Sequence, residues 1–533
     1  MSDDKNTPMA EVEKIASKFD TLNITEQRGE SQYRKPLEGA LLAFDEAAAE
    51  LLDCGTNIVK LLPFQDGVKK KDFESLYLIQ TSAFELGKVG RLLSNAGIRA
   101  IVSLVTLLGD KTFFRVEDLL EYFKIPIEKI AQRIMREASS QDILWKVAEE
   151  CYHQAASTTG ELSPVDYLAT SKWVDKEAKK EDWIKFWTRS VCKCPGGPTL
   201  FQPPDNSAIN HSVKRPPKHM PRYLFRVWDD NSKGYNSEDV IASVLSQNAE
   251  ASHNKIDIFS MDHQEASEML HHHLDKGLSN TLQTNNIVSW SSSLIFVIQY
   301  ANWRFCQRWL GQPGEIYVCT VDTSKFSRGQ FARDKWLLNW FSNARLSDEE
   351  SNFHNFRIKT TEYDNGEYLS QGKLHIEGRS CTMSLRDLKN AGLWYLYPEF
   401  NINDAKPADP VKNEWTNYVK YLRQEWLVTQ KTTKAKVQCA LNIAEKCFPG
   451  FDQDDMALLL LSFCERKLQR EKPSFQNPFL PLVAVEDINY KEPAEVDRYS
   501  TLKKRLSELS ESSGEHGMKL FEQLYVLEDV EED

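Results

Sequence analysis

The stretch Ser289-Trp290-Ser291-Ser292-Ser293 leads directly into the apolar run Leu294-Ile295-Phe296-Val297-Ile298. The serines end a strand-like segment and begin a helix-like one. Such a junction presents hydroxyl groups and unpaired backbone N–H groups to a polar ligand. Serine is also a common N-cap residue, so the same pattern is typical of a helix start without a ligand. The choice between a ligand site and a simple helix start depends on which other residues of the chain accompany these serines.

The region around the serines, residues 223–398, alternates strand-like and helix-like segments, which is typical of an α+β domain. The residue patterns predict helices at 262–276 and 291–308 and strands at 223–228, 256–260, 287–290, 316–321, 356–361 and 374–377. Two charged residues accompany the serines in this region. Arg226 lies within the first predicted strand, and Glu367 lies in the glycine-flanked turn Asn365-Gly366-Glu367-Tyr368-Leu369-Ser370-Gln371-Gly372.

The flanking regions have the periodicity of helices. Residues 35–191 predict an all-α domain, and residues 411–533 predict a helical C-terminal region that ends in an acidic tail. Residues 1–34 are polar and predict a loose leader. The segment 192–222 holds seven of the 21 prolines, which indicates a linker or an extended wrap between domains. The sequence thus predicts a multidomain chain with a central α+β domain between two helical regions.

Composition excludes some classes of function. The net charge of -12 argues against a general nucleic-acid binder. The 10 cysteines follow no disulfide-framework spacing, so reduced thiols in a cytoplasmic protein are expected. The apolar runs are too short for a membrane span, and the N-terminus lacks a signal-peptide pattern. We therefore predict no membrane association.

No metal site is expected. Consecutive helical residues point about 100° apart, so His271, His272 and His273 cannot close on one ion. They are predicted to form a solvated histidine run. Cys192 and Cys194 lack the spacing of a zinc finger.

An arginine, a Ser-x-Ser motif and a glutamate follow one another as Arg226, Ser289 and Glu367. This order resembles that of mono-ADP-ribosyltransferases of the Arg–Ser–Glu type, over about a third of the chain. The string Gly366-Glu367-Tyr368-Leu369, followed by Gly372, is the most specific part of the resemblance. The helical, mixed, helical layout is similar to that of a group of fungal proteins.

The resemblance implies an NAD-dependent mono-ADP-ribosyltransferase or NAD glycohydrolase, with NAD as the substrate and a protein as acceptor or partner. It implies that Arg226 grips the NAD phosphate or ribose, that Ser289 and Ser291 bind the nicotinamide ribose, and that Glu367 is the catalytic carboxylate. A carboxylate stabilises the positive charge that develops on the ribose as nicotinamide leaves.

The chain departs from the family at one position. Family members often carry Glu or Gln two residues before the catalytic glutamate, where it helps to choose the acceptor, and here that residue is Asn365. The alternative interpretation is therefore a non-catalytic interaction or scaffold protein that keeps a degenerate form of the fold.

Overall fold

The computed structural model describes residues 34–62, 69–138, 142–204, 217, 219–247, 255–275, 285–307, 315–401, 415–469 and 491–528. The chain divides into two compact units, Met1–Gly197 and Pro198–Asp533. Regular elements of the first unit are all helices within its described residues, whereas the second holds antiparallel sheets followed by further helices. Most of the expected polar leader and the acidic end of the expected tail lie outside the described residues.

The first unit is a helical domain with an aromatic core. The C-terminal part of its longest helix packs against three later helices, and the buried indoles of Trp145, Trp183 and Trp187 fill the space between them. Its helices are α1 (Arg34–Leu61), α2 (Lys70–Leu108), α3 (Lys111–Phe114), α4 (Glu117–Tyr122), α5 (Lys124–Glu137), α6 (Ile143–Ala156), α7 (Val165–Thr170) and α8 (Lys176–Lys193).

One helix of this unit departs from the expectation that every apolar segment is too short to span a membrane. Within the described residues, Lys71–Leu108 is long and apolar enough to cross a membrane by length and composition alone. Ile98, Val105 and Leu108 of this helix are nevertheless buried within the protein. Burial in the protein core therefore explains the apolar composition of the C-terminal part of this helix.

The second unit is built on a six-stranded antiparallel sheet in the order β6-β7-β4-β1-β5-β9. A second, three-stranded antiparallel sheet has the order β2-β3-β8. The strands are β1 (Tyr223–Trp228), β2 (Tyr235–Asn236), β3 (Val240–Ala242), β4 (Ile287–Ser291), β5 (Tyr317–Asp322), β6 (Ala332–Arg333), β7 (Glu367–Gln371), β8 (Lys373–His375) and β9 (Ser380–Ser384). A short parallel pair joins β10 (Thr432–Thr433) to β11 (Leu527–Glu528).

The large sheet opens between β1 and β4. Strand β1 pairs with β5 along all six of its residues, but it pairs with β4 at one position, Phe225 opposite Ser291. Strand β4 in turn pairs with β7 at five positions. The sheet therefore consists of two well-paired groups of strands, β1-β5-β9 and β6-β7-β4, which diverge beyond Phe225.

The two faces of the large sheet are covered differently. One face packs on the small sheet through a buried cluster that includes Leu224, Trp290 and Ile241. The other face is covered by the helices of this unit. These are α9 (His263–Leu274), α10 (Leu294–Gln307), α11 (Asp334–Trp340), α12 (Asp348–Lys359), α13 (Leu385–Asn390), α14 (Leu393–Leu396), α15 (Trp415–Glu425), α16 (Lys434–Cys447), α17 (Gln453–Leu461), α18 (Ala494–Ser513) and α19 (Met518–Leu524).

The C-terminal helices share a core with the sheet. Tyr223 and Phe225 of β1 lie in the same buried cluster as Leu458 of α17 and Leu502 of α18. The structure accordingly groups residues 198–533 as one unit, whereas the sequence analysis separates 223–398 from 411–533. The reason is that the apolar faces of the C-terminal helices pack against β1 and α10 as well as against one another.

Two predicted strands are wrong. Residues 356–361 fall mostly in helix α12, which begins with a capping box between Ser347 and Glu350. Residues 256–260 contain the short 3₁₀ turn Ile258–Ser260, because the Asp257 side chain accepts the Phe259 N–H and turns the chain. The other predicted strands coincide with β1, β4, β5 and β8, within one or two residues at each end.

The predicted linker begins inside structured elements. Cys192 lies in α8, and further along Thr199 forms a bridge with Gln371 of β7. The Phe201 N–H donates to the Gly329 carbonyl at 2.7 Å, and its ring is buried beside α9 and α11. This part of the segment wraps onto the second unit, and residues 205–216 and 218 lie outside the described residues.

A buried carboxylate ties β1 to the C-terminal helices. Asp455 on α17 is fully buried and accepts hydrogen bonds of 2.6 Å from the hydroxyls of Tyr223 and Tyr499. Lys503 and Arg222 supply positive charge at 3.1 Å and 3.3 Å. Burial and the Asp455 charge together raise the pKa of both tyrosines, which keeps them protonated as donors.

We expect Asp455→Ala to lower the free energy of unfolding by about 3–5 kcal/mol, because it leaves two buried hydroxyls without an acceptor and removes the carboxylate that pairs with Lys503 and Arg222. Asp454→Ala is the matched control and should cost about 1 kcal/mol, since that side chain caps the Gly517 N–H nearer to the surface. Urea unfolding followed by tryptophan fluorescence measures both values. Similar losses in the two variants would show that Asp455 does not hold the helices to the sheet.

Candidate functional site

Ser289 and Glu367 meet on neighbouring strands. Ser289 is in β4 and Glu367 is the first residue of β7, on the same face of the sheet as strand alternation requires. The Ser289 hydroxyl donates to Glu367 Oε1 at 2.8 Å. Both side chains are partly exposed, so a small molecule can reach the pair. Glu367 lies at a strand start and not within the turn, because Gly366 supplies the turn before it.

Arg226 spans the opening between β1 and β4. Its Nη1 donates to the backbone carbonyl of Ser289 at 3.0 Å, and its Nε donates to Asn236 at 3.2 Å. By strand alternation Arg226 shares its face with Leu224, whereas Ser289 shares the opposite face with Ile287. Arg226 therefore enters the opening from the side of the small sheet, and the Ser289–Glu367 pair enters it from the helical side. Burial lowers the pKa of Arg226 to about 10, which leaves it charged at neutral pH.

The structure thus brings Arg226 to the backbone of Ser289 and brings the Ser289 and Glu367 side chains into direct contact. It does not bring the Arg226 guanidinium to Glu367 itself. A ligand that contacts all three residues has to lie in the opening where β1 and β4 diverge.

A histidine contacts the Ser289–Glu367 pair from the helical side of the sheet. His273, at the end of α9, lies 2.8 Å from the Ser289 hydroxyl through its Nε2, and its Nδ1 lies 2.6 Å from Asn285 Nδ2. The Asn285 Oδ1 already accepts the Ile287 N–H. The hydrogen-bond network therefore assigns Nδ1 as an acceptor and Nε2–H as a donor to Ser289. The proton of Ser289 is directed at Glu367.

The predicted solvated histidine run is wrong in two of its three positions. His271 is 1% exposed, and its ring stacks on His354 of α12 at 5.7 Å between centroids. His273 is the partner of Ser289. The run lies on a helix that packs under β4 and α11, so two of its side chains turn inward.

Glu367 is paired on its other side with an arginine. Arg357 of α12 donates to Glu367 Oε2 at 2.7 Å and also binds Asp334. Exposed fractions of 17% for Arg357 and 18% for Glu367 leave this pair at the edge of the protein interior. In the described residues Glu367 is thus held between a hydroxyl donor and a guanidinium donor.

A buried arginine supports Glu367 from beneath. Arg333 is fully buried and donates to the Glu367 backbone carbonyl at 2.8 Å, to Asp334 at 2.9 Å and to Asp364 at 2.6 Å. Glu492, just before α18, lies 3.6 Å from its Nε. Burial alone would lower the pKa of Arg333, but these carboxylates outweigh it and raise that pKa. In return, Arg333 and Lys335 lower the pKa of Asp364 against the opposing effect of its burial.

The three serines after Trp290 bind groups of the protein itself. Ser291, which the resemblance assigns to the ribose, donates to the Asn365 carbonyl at 2.6 Å and is buried. Ser292 donates to Glu492 at 2.6 Å, and Ser293 donates to Glu495 at 2.5 Å. The predicted role of Ser291 does not fit this arrangement, because its hydroxyl fixes the turn that carries Glu367.

That turn requires glycine. Gly366 has a φ of +63°, and a Cβ at this position would lie 1.8 Å from Ser292 Oγ. The Gly366 carbonyl also accepts the Ser292 N–H at 2.8 Å. The Asn365-Gly366 turn and the serine junction are therefore fitted to each other, and the fit sets where β7 begins.

Sequence reasoning missed His273, Arg333, Arg357 and Glu492 as parts of this site. Asp364, three residues before Glu367, is the sequence feature that could have indicated them, because a carboxylate beside a predicted site is often paired with a cation. The sequence does not indicate which arginine pairs with Asp364, because the two residues lie in separate parts of the fold.

We expect Arg357→Met to lower the free energy of unfolding by about 2–3 kcal/mol, because it leaves Asp334 and Glu367 without their shared cation in a region that is mostly buried. Lys359→Met lies two residues away on the exposed side of the same helix and should change stability by less than about 0.5 kcal/mol. Chemical denaturation of both variants measures the difference. Equal effects would show that Arg357 does not hold the carboxylates in place.

Comparison with known proteins gives one match. Residues 219–388, which contain β1 to β9 and all of Arg226, Ser289 and Glu367, match a family described as a domain of unknown function (DUF7587). No curated protein and no solved structure gives a match to this chain.

Proposed function

We propose that residues 219–388 carry an ADP-ribosyltransferase-like domain that binds NAD+ and cleaves its nicotinamide–ribose bond. The observation that carries this proposal is the 2.8 Å hydrogen bond between Ser289 and Glu367 on adjacent strands, beside the opening that Arg226 spans. Arginine, serine and glutamate thus lie on three neighbouring strands in the order that the Arg–Ser–Glu resemblance implies.

Each residue has a role that follows from its chemistry. The Glu367 carboxylate stabilises the oxocarbenium character of the ribose as nicotinamide departs. Ser289 directs its proton at Glu367, which orients that carboxylate. Arg226 presents a forked cation within the opening, suited to a phosphate or ribose oxygen.

The charge around Glu367 also favours this substrate. Three cations, Arg333, Lys335 and Arg357, face four carboxylates, Asp334, Asp364, Glu367 and Glu492. The neighbouring Arg423 and Glu495 neutralise each other. These seven groups carry one negative charge in excess, and Arg226 adds one positive charge within the opening. The site therefore offers a carboxylate to the positive charge on the ribose in the transition state and a cation to the phosphates of NAD+.

The residue two positions before Glu367 favours water over a protein as the acceptor. Asn365 is buried, and its Oδ1 accepts a hydrogen bond from Arg423 at 3.1 Å. Its side-chain oxygen is therefore directed at Arg423 and not at an incoming acceptor side chain. Hydrolysis of NAD+ is accordingly the form of the activity that this geometry supports best, ahead of transfer to a protein.

The second candidate is a non-catalytic interaction or scaffold protein. It is favoured by the pairing of Glu367 with Arg357, which occupies the carboxylate, and by Glu492 and Glu495, which occupy Ser292 and Ser293. In that case the network is a structural one, and the helical regions bind partners.

We expect Glu367→Gln to lower the rate of nicotinamide release by about 10²–10³-fold, because its carboxylate acts on charge that appears only in the transition state. The dissociation constant for NAD+ should stay within about threefold of the wild-type value. Liquid chromatography of released nicotinamide and titration calorimetry measure the two quantities. Glu362→Gln, an exposed glutamate five residues earlier, is the control and should leave both unchanged.

We expect Arg226→Ala to raise the dissociation constant for NAD+ by about 10–100-fold, because a hydrogen bond from a charged donor to the ground-state ligand is lost. Arg386→Ala, which removes an exposed arginine, is the control. If the folded wild-type protein binds no NAD+ by calorimetry, the enzyme proposal is wrong and the scaffold proposal replaces it.

A further inference from the structure

Helix α1 presents an apolar surface that nothing in the described structure covers. Every residue from Leu37 to Leu61 is exposed except the partly exposed Gly55. Leu41, Phe44 and Leu51 are each about half exposed, at 49%, 50% and 50%. A helix without tertiary packing is only marginally stable in water, and soluble proteins rarely leave apolar surface of this extent uncovered.

The apolar residues of α1 follow the repeat of helices that pack side by side. Spacings of four and three residues alternate without interruption through Leu37, Leu41, Phe44, Ala48, Leu51, Gly55 and Ile58. An apolar residue at every third and fourth position forms the seam of a coiled coil. No atom lies within 4 Å of the point where a Cβ of Gly55 would be, so a second helix can approach closely there. The expected neighbour of α1 is therefore another helix.

Helix α2 has two apolar faces that one helix cannot cover. Phe73, Tyr77 and Phe84 are exposed on one side, and Leu86, Val89 and Leu93 are exposed on the other. At 100° per residue the centres of these two groups lie roughly 170° apart. The single α1 of the same chain can cover one of them at most, so the described helices of one chain leave the other face for a further helix.

Charge selects the pairing. The charged residues between Leu37 and Val59 are all acidic: Glu38, Asp45, Glu46, Glu50 and Asp53. The charged residues between Ser75 and Leu108 are Glu85, Lys88, Arg91 and Arg99, with a net positive charge. Contact of α1 with a second α1 brings like charges together, whereas contact of α1 with α2 brings opposite charges together.

We infer that this protein self-associates through these helices, with α1 of each copy lying against α2 of a second copy. A lipid surface is the other occupant that an apolar helix of this length could have. Against it, the C-terminal part of α2 is used within the protein, where Ile98, Val105 and Leu108 are buried. Glu85, Lys88 and Arg91 also interrupt the exposed part of α2, and burying them in hydrocarbon is costly.

The test is the molar mass of the full chain, measured by light scattering after size exclusion at several micromolar concentrations. The wild-type protein should have twice the 61.4 kDa mass of the chain. Leu41→Glu with Leu51→Glu places charges on the seam and should raise the dissociation constant of the dimer by more than about 100-fold, which gives the monomer. Leu42→Glu with Ala49→Glu is the matched control, because both residues are exposed positions of α1 off the seam, and it should remain dimeric.

Three results would overturn the inference. They are a monomeric wild-type protein, equal dissociation in the seam and control variants, and sedimentation of wild-type monomer with phosphatidylcholine vesicles, which would assign the helices to a lipid surface. If the glutamate pair lowers the thermal midpoint of the folded protein, Leu41→Ala with Leu51→Ala supplies the same comparison without charge. That pair should weaken the dimer and leave the midpoint of the second unit unchanged.

Discussion

The buried guanidinium of Arg333 is the constraint on which the candidate site depends. A cation without access to water persists in a protein only where carboxylates and carbonyls satisfy its donors. Here Asp334, Asp364 and the Glu367 carbonyl accept from it, and its guanidinium lies over the Tyr368 ring. Because one of these acceptors is the backbone of Glu367, neutralising Arg333 also fixes the start of β7.

This constraint extends beyond the segment that the family match covers. Glu492 lies near Arg333 and accepts hydrogen bonds from Ser292 and from the Tyr368 hydroxyl. Arg423 donates hydrogen bonds to the Glu495 carboxylate and to Asn365 Oδ1. The C-terminal helices therefore complete the surroundings of Glu367 as well as the hydrophobic core beneath β1. A fragment that ends near residue 388 lacks these partners, which makes the whole second unit the smallest part suited to functional work.

The two candidate functions differ in what they require of Arg357. For an enzyme, the guanidinium on Oε2 holds the Glu367 side chain in one orientation and leaves Oε1, with Ser289, beside the opening. For a scaffold, the same contact is a permanent ion pair that joins α12 to β7. The divergence of β1 from β4 bears on this difference, because along the register of Phe225 and Ser291 it leaves three positions of β1, residues 226 to 228, without a pairing to β4.

The sequence by itself determined the strands that carry Arg226 and Ser289, the helix that follows the serines, and the order of Arg226, Ser289 and Glu367. These depend on local signals: apolar runs of strand length, a serine N-cap and a glycine turn. Only the tertiary structure decided that Ser291 serves the Asn365 turn and that the C-terminal helices join the sheet. It also decided that His273 reaches Ser289 and that Arg357 reaches Glu367. Such partners are chosen by the need to neutralise charge and satisfy donors in a shared interior, and residues distant in the chain meet that need without leaving a local pattern.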